Sequence, residues 1–473
     1  MGSRIILVPF AAQGHVTLMM QLARALHARG FEVTVATPDY IHRRLASHAA
    51  AAADDDDDRI LFASLPSGLA PDNTAPNFAA ISEAMESHMP AHLERLLSSA
   101  GPAVACVVVD LLASWAIPVA RRCGVPVAGF WPAMLAVYRI VLAIPELMRC
   151  GFISEHGIPL CHENNEEQVA EKLILEGQPK LTAEELPWVV GNPASQKLRF
   201  MFWQRVLDRA KTLQWLLVNS FPEEGGDANE TPPLPGGAPR TLPIGPLIAH
   251  EQHSSHFDKH QACNAGRKAS LWEEDRSCLE WLEQQQPNSV VYVSFGSWVA
   301  PIPPEEITEF ALGLEAARVP FLWALKDEKP WRAGLPDGYA DRVAGQGGKL
   351  VAWAPQEEVL ESEAVGCYLT HCGWNSTLEA IRHEKRLLCY PIAGDQFVNA
   401  AYIVRVWGAG VRLEGCDRGA VERGVGRIIR GEEGVRVGEG VARLKRRIMG
   451  KKGSSEAMAN LQRFVDDIND RRT

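Results

Sequence analysis

Positive charge, long apolar spans and paired cysteine motifs are what this sequence has least of, and each shortage removes a class of function. Lys and Arg number 48 against 58 Asp and Glu, a formal net charge of −10, which argues against a protein built to grip nucleic acid or an anionic membrane surface. The most apolar later stretch, residues 125–148, is broken by Pro126, Pro132, Arg139 and Pro145, so no span is long enough to cross a bilayer. The opening run from Arg4 to Gln13 is too short and too poor in cleavage context for a secretory signal; the mature chain is expected to begin here, soluble and cytoplasmic. The ten cysteines are scattered from Cys106 to Cys416 without a CxxC pair and read as buried cytosolic thiols. After the first apolar run the GxGxxG turn is missing and Phe10-Ala-Ala-Gln-Gly-His15 stands instead, which sets aside a dinucleotide oxidoreductase.

What remains is an ordinary globular composition, 46% hydrophobic and 22% charged over 473 residues, enough for two or three domains with sizeable cores. Residues 5–9 read as a strand, 13–15 as a turn, 16–29 as a helix stopped by Gly30, and 31–37 as a strand. Residues 104–109, ending at Asp110, then a helical stretch to Arg122, Gly124 and a strand over 125–130 repeat the unit, predicting a doubly wound α/β domain. Composition turns acidic and then Pro/Gly-rich over 223–237, with a polar, His-rich stretch over 250–266, where a domain boundary belongs. Beyond it, strand-like runs at 289–295, 320–325, 349–352, 367–371 and 386–390 alternate with helix-length segments such as 305–317 and 375–383, predicting a second parallel sheet. The expected division is 1–245, 246–455 and a last helix, 456–473, packing back towards the first domain. The alanines and aspartates of 49–58 read as a solvated loop.

Open α/β sheets bind ligands at the carboxyl ends of their strands, and His15 and Asp110 fall at two such ends. An imidazole takes up a proton near neutrality, and a carboxylate on its other nitrogen would fix the tautomer, so the two suit a general-base dyad. The plainer alternative is that His15 satisfies helix N-terminal groups and Asp110 caps the next helix. Cys367 to Glu379 reads as strand, glycine turn and helix start, a geometry that aims backbone N–H groups and a helix dipole at an anion. His371, Gly373, Asn375 and Ser376 are thus candidates for holding a diphosphate. Glu379 is spaced to accept from a ribose diol, and Trp353 offers a flat face to a base. Equally, Trp353 and Trp374 could be core aromatics and Asn375 a simple cap.

Taken together, residues 353–396 resemble the signature box of plant UDP-dependent glycosyltransferases, from Trp353-Ala-Pro-Gln356 through His371-Cys-Gly-Trp-Asn-Ser376 and Glu379 to Asp395-Gln396. Gln13-Gly14-His15, Val109-Asp110, Phe130-Trp131, Ile244-Gly245-Pro246-Leu247, Ser294-Phe295-Gly296-Ser297 and Phe321-Leu322-Trp323 extend the likeness over almost the whole chain. Subfamily 82 is the part of the family it most resembles. The resemblance implies two Rossmann-like parallel-sheet domains facing across a cleft (GT-B), with the nucleotide sugar held by the second and the acceptor by the first. It makes His15 the base that deprotonates the acceptor hydroxyl and Asp110 its partner, in a single displacement that inverts the anomeric carbon without a metal. It places Trp353, Ala354 and Gln356 at the base and ribose, and Glu379 on the ribose hydroxyls. Ser297, His371, Asn375 and Ser376 fall at the diphosphate, and Trp374, Asp395 and Gln396 at the sugar. The terminal Gln396 implies UDP-glucose as co-substrate, with no cofactor, and the family implies a monomer. Departures are Ser362 for a usual His, Tyr368 for Phe, Glu384-Lys385-Arg386 for Gly-Val-Pro, Pro132 for a Thr or Ser, and Leu18 for Pro.

Rival readings are a metal-dependent transferase using Asp54 to Asp58 and a metal site at His250, His253, His256 and His260 with Cys263, although that spacing is not HExxH. A non-catalytic UDP-sugar or small-molecule binding protein that kept the fold is the alternative outside enzymes. The acceptor is expected to be a hydrophobic phenolic, terpenoid or hormone-like molecule, with Met85, Leu112, Trp131, Met134, Trp188 and Phe202 as candidate pocket residues.

Overall fold

The computed structural model describes residues 3–51, 60–69, 78–100, 104–160, 181–182, 185–221, 224, 238–247, 272–296 and 302–471. It contains two parallel-sheet α/β domains. The first sheet is built from β1 (Arg4–Val8), β2 (Glu32–Pro38), β3 (Ile60–Leu65), β4 (Val104–Asp110), β5 (Val127–Trp131), β6 (Trp215–Val218) and β7 (Arg240–Pro243), in the order β3-β2-β1-β4-β5-β6-β7. The second comprises β8 (Val290–Ser294), β9 (Phe321–Ala324), β10 (Gly348–Val351), β11 (Val365–Thr370), β12 (Arg386–Cys389) and β13 (Gly410–Arg412), ordered β10-β9-β8-β11-β12-β13. Every neighbouring pair of strands is parallel.

Helices cover both faces of such sheets, so their central strands must be apolar throughout. The sequences VACVVVD of β4 and VGCYLT of β11 meet that demand, and both strands are buried along their whole length. Strand order reverses between β1 and β4 in the first sheet and between β8 and β11 in the second. At each reversal the flanking connections run to opposite sides and leave a crevice beyond the carboxyl ends. The register Val8↔Val109 brings the turn after β1 beside Asp110, and Ser294↔Thr370 brings Gly296 beside His371.

Three helices start at these crevices and a fourth closes the chain. α1 (Gln13–His27) starts at the turn after β1, so Gly14 and His15 belong to its first turn instead of preceding it. α2 (Trp374–Arg382) and α3 (Gln396–Ala401) begin at the carboxyl ends of β11 and β12. α4 (Lys451–Asp470) packs on the first domain: Leu461, Phe464, Val465 and Ile468 join Ile5, Leu7, Val33 and Trp215 in one core, and Asn460 Nδ2 donates to the Pro243 carbonyl at 2.7 Å. The helix Asp39–Ala51 takes in the first alanines of the stretch expected as a loop; its aspartates lie outside the described residues. The short strands β6, β7 and β13 carry no sequence signal beyond a few apolar residues.

Candidate active site

The turn after β1 and the end of β4 bring His15 Nδ1 to 2.6 Å from Asp110 Oδ2. The carboxylate is 0% exposed and the imidazole 23%. A carboxylate oxygen accepts, so the pairing puts the proton on Nδ1 and leaves the Nε2 lone pair for chemistry. Asp110 Oδ1 accepts the Leu112 N–H at 2.9 Å. The cap and the dyad, alternatives in the sequence, therefore coexist, one oxygen each. Phe10 packs edge-on against the imidazole, with centroids 5.3 Å apart.

Across the crevice, the chain leaves β11 through Cys372, whose φ of +64° is left-handed, and enters α2 at Gly373. His371 lies buried here, and burial pushes its pKa down to about 4, leaving a neutral ring. A Cβ on Gly296 or Gly373 would stand 2.5 or 2.4 Å from His371 Nε2, so only glycine admits the imidazole at either place. Asn375 Nδ2 donates to the Gly14 carbonyl at 3.1 Å, tying α2 to the turn that carries His15. Gln356 Nε2 donates to Glu379 Oε2 at 2.7 Å and to Ser376 Oγ at 3.1 Å, while its Oε1 accepts from Tyr368 at 2.9 Å and Tyr292 at 3.3 Å. Gln396 Oε1 accepts the N–H groups of Ile392 and Ala393, both at 2.9 Å. Asn399 Nδ2 holds Asp395 Oδ2 and the Cys372 carbonyl, each at 2.9 Å. Burial raises the Asp395 carboxyl above its ordinary range, opposed by that amide and by nearby His15. An imidazole beside an aromatic ring thus stands next to a helix N-terminus, which carries free N–H groups and a positive dipole end.

This geometry has close counterparts. A family model described as UDP-glucoronosyl and UDP-glucosyl transferase matches residues 261–429, and one described as glycosyltransferase, N-terminal domain, matches residues 3–124. UDP-glycosyltransferase 82A1 of Arabidopsis thaliana is 46% identical, with 98% of each chain covered. The chain belongs to the plant UDP-glycosyltransferase family. Within it, subfamily 82 is the part it resembles most. DIMBOA UDP-glucosyltransferase BX8 of Zea mays is 33% identical over 99% of this chain and 98% of that one. The crystal structure of Os79 from O. sativa in complex with UDP superposes with a TM-score of 0.78 at 26% identity, covering 97% and 99% of the two chains. The fold is accordingly the GT-B arrangement of these glycosyltransferases.

Within this UDP-glycosyltransferase, the side chains of Trp374 and Gln356 both hydrogen-bond to other protein groups. The Trp374 ring is 4% exposed. It is buried between the domains, its indole N–H on the Asn219 carbonyl at 2.7 Å and its ring against Phe221 and Trp407. Gln356 spends its amide inward on Glu379, Ser376 and the two tyrosines, supporting the site from behind. Trp353 is partly exposed, its ring 5.5 Å from Trp272, and Ala354 is buried. Ser297 and the histidines from His250 to His260 lie outside the described residues.

In the first domain, rings run from Phe10 to Phe78 (6.0 Å), Phe202 (4.9 Å), Trp203 (5.6 Å) and Trp131 (5.7 Å). Met85, Met134 and Phe202 are buried in the same cluster, with Leu112 half-buried against it. Trp188, fully buried, belongs to that cluster too; it packs on Phe200 and donates to the Gly157 carbonyl. Trp131 donates its N–H to the Met134 carbonyl and its ring lies 5.7 Å from Trp203. Sequence reasoning missed Phe10, Phe78, Trp203, Tyr292 and Asn399. Asn399 was accessible through its i, i+4 spacing from Asp395, whereas Tyr292 meets Gln356 only through the β8–β11 pairing. No helix among the described residues is long and apolar enough to cross a membrane.

Proposed function

We propose that this glycosyltransferase moves glucose from UDP-glucose to a hydroxyl of a hydrophobic small molecule of phenolic, terpenoid or hormone-like type. His15 Nε2 takes the hydroxyl proton as the acceptor oxygen bonds to the anomeric carbon. The bond from that carbon to the diphosphate breaks in line, and UDP leaves with the electron pair. Asp110 holds the imidazole in the required tautomer and stabilises the imidazolium that forms. Charge developing on the departing diphosphate is met without a metal by the N-terminus of α2, His371, Asn375 and Ser376. Trp353 stacks on uracil, Glu379 holds the ribose diol, and Asp395 and Gln396 face the sugar. We also place the reaction in the cytoplasm, in a monomer.

The observation that carries this reading is the 2.6 Å contact between His15 and a wholly buried Asp110, clamped through Gly14 and Asn375 to the helix that would hold the diphosphate. The ring series from Phe10 to Trp131 supports an apolar acceptor. Gln396 at the close of the signature box, and a maize relative named a UDP-glucosyltransferase, support glucose. Thermal shift with UDP, UDP-glucose, UDP-galactose and UDP-glucuronate, with and without EDTA, tests the donor assignment. UDP and UDP-glucose should stabilise the protein equally well with the chelator present. No shift with any of the four would overturn the reading.

A further inference from the structure

The buried phenols beneath the signature box form a polar network whose proton directions can be read off its chemistry. A carboxylate oxygen accepts and does not donate, so the Gln356 group 2.7 Å from Glu379 Oε2 must be the NH₂. The amide oxygen then points the other way, to the hydroxyls of Tyr368 at 2.9 Å and Tyr292 at 3.3 Å, and both phenols must donate to it. Both tyrosines are buried, with their rings 4.9 Å apart on the adjacent strands β11 and β8. Burial raises both phenols above their ordinary range, Tyr368 to about 12, which keeps their protons in place. With its oxygen fixed from behind by two donors, the Gln356 amide has one orientation, and its NH₂ fixes the rotamer of Glu379. A phenylalanine at position 368 would leave that oxygen with a single, longer hydrogen bond.

We propose that Tyr368, seconded by Tyr292, is a positioning residue for the nucleotide ribose: acting through Gln356, it holds Glu379 in the rotamer that accepts from the ribose diol. This role depends on the proposed function, in which Glu379 meets that diol. A single neutral hydrogen bond contributes about threefold to tenfold in an equilibrium, which sets the size of the effect.

The test is calorimetric binding of UDP and of 2′,3′-dideoxy-UDP, which offers no diol, to the wild-type protein and to Tyr368→Phe. Wild type should bind UDP more tightly than the dideoxy compound. Tyr368→Phe should weaken UDP about threefold to tenfold, leave dideoxy-UDP within twofold, and raise the donor KM by the same factor while leaving kcat and the acceptor KM in place. Tyr292→Phe, from the longer bond, should move the same quantities less, and serves if Tyr368→Phe does not fold. Equal losses for both nucleotides would mean a merely structural role, and retained discrimination would mean that Tyr368 does not act through Glu379; either overturns the inference alone. Equal binding of both nucleotides by wild type would overturn the ribose reading itself.

Discussion

The side-chain amide of Asn375 donates to the backbone carbonyl of Gly14 at 3.1 Å, one residue from the imidazole that faces Asp110. The helix that would hold the departing diphosphate and the turn that carries the base are therefore held together by a direct bond between the domains. Removing that amide in Asn375→Ala should lower kcat severalfold and raise the donor KM, since misplacement of reacting groups by even about 1 Å costs up to a hundredfold. Steady-state kinetics against donor, together with a melting temperature lowered by no more than a few degrees, checks it.

In the proposed mechanism Asp110 works through the imidazole, so its effect separates from binding. Asp110→Asn keeps the shape but no longer takes the Nδ1 proton as a carboxylate does. The kcat should fall by about 10²- to 10⁴-fold, the range of a general base deprived of its protonation state. UDP affinity by calorimetry should be unchanged, because Asp110 closes a strand of the first domain and the proposed nucleotide site lies in the second.

Gly373 and Gly296 admit His371 by lacking a side chain. Alanine at either would place a methyl 2.4 or 2.5 Å from Nε2, and at Gly296 it would also have to adopt a φ of +82°. Both variants should bind UDP at least tenfold more weakly, with Gly296→Ala also losing more than about 1 kcal/mol of stability through its backbone. UDP titration and denaturant melts distinguish the two effects.

Glu224 predicts a pH signature in stability. Its buried carboxylate accepts the N–H groups of Leu135 at 2.6 Å and Ala136 at 2.8 Å, together with the Ser220 hydroxyl, and its backbone carbonyl accepts the Trp407 indole N–H from the second domain. Burial outweighs those bonds and lifts the pKa from 4.5 to about 7. The folded state therefore binds this proton more tightly than the unfolded state. The stabilisation is complete below pH 4.5 and is lost as pH rises through about 7, roughly 3 kcal/mol at most. Glu224→Gln should be less stable at low pH, because its amide NH₂ opposes one backbone N–H, yet lack this pH-dependent loss. Urea melts of both proteins between pH 5 and 8 measure the difference in slope.

The sheets were legible in the sequence because their signals are local, and the placing of His15 and Asp110 at strand ends came with them. Apolar runs such as that ending in Asp110 must be buried on both faces, and the carboxyl ends of such strands, where His15 and Asp110 stand, face the crevice. The Cys367 to Glu379 run likewise announces strand, glycine turn and helix in order. What escaped depends on contacts between distant segments. The Trp374 indole is drawn into the domain interface by Asn219, 155 residues away, and nothing in the box itself reveals that partner. The resemblance sets Gln356 at the nucleotide, but its two tyrosine partners emerge only when β8 and β11 pair and bring Tyr292 and Tyr368 onto its oxygen. Trp203 escaped as well, because its place beside Phe202 and Trp131 depends on packing between distant segments.

The central claim is hexose transfer by a base at His15. Mass spectrometry of a mixed phenolic and terpenoid panel incubated with UDP-glucose, run side by side for wild type and His15→Ala, tests it most directly. Wild type should give a product heavier by one hexose and the variant a rate at least a hundredfold lower, while thermal shift shows both proteins still binding UDP. Equal product from both proteins, or binding of UDP-glucose by wild type with no transfer to any acceptor of the panel, would contradict it.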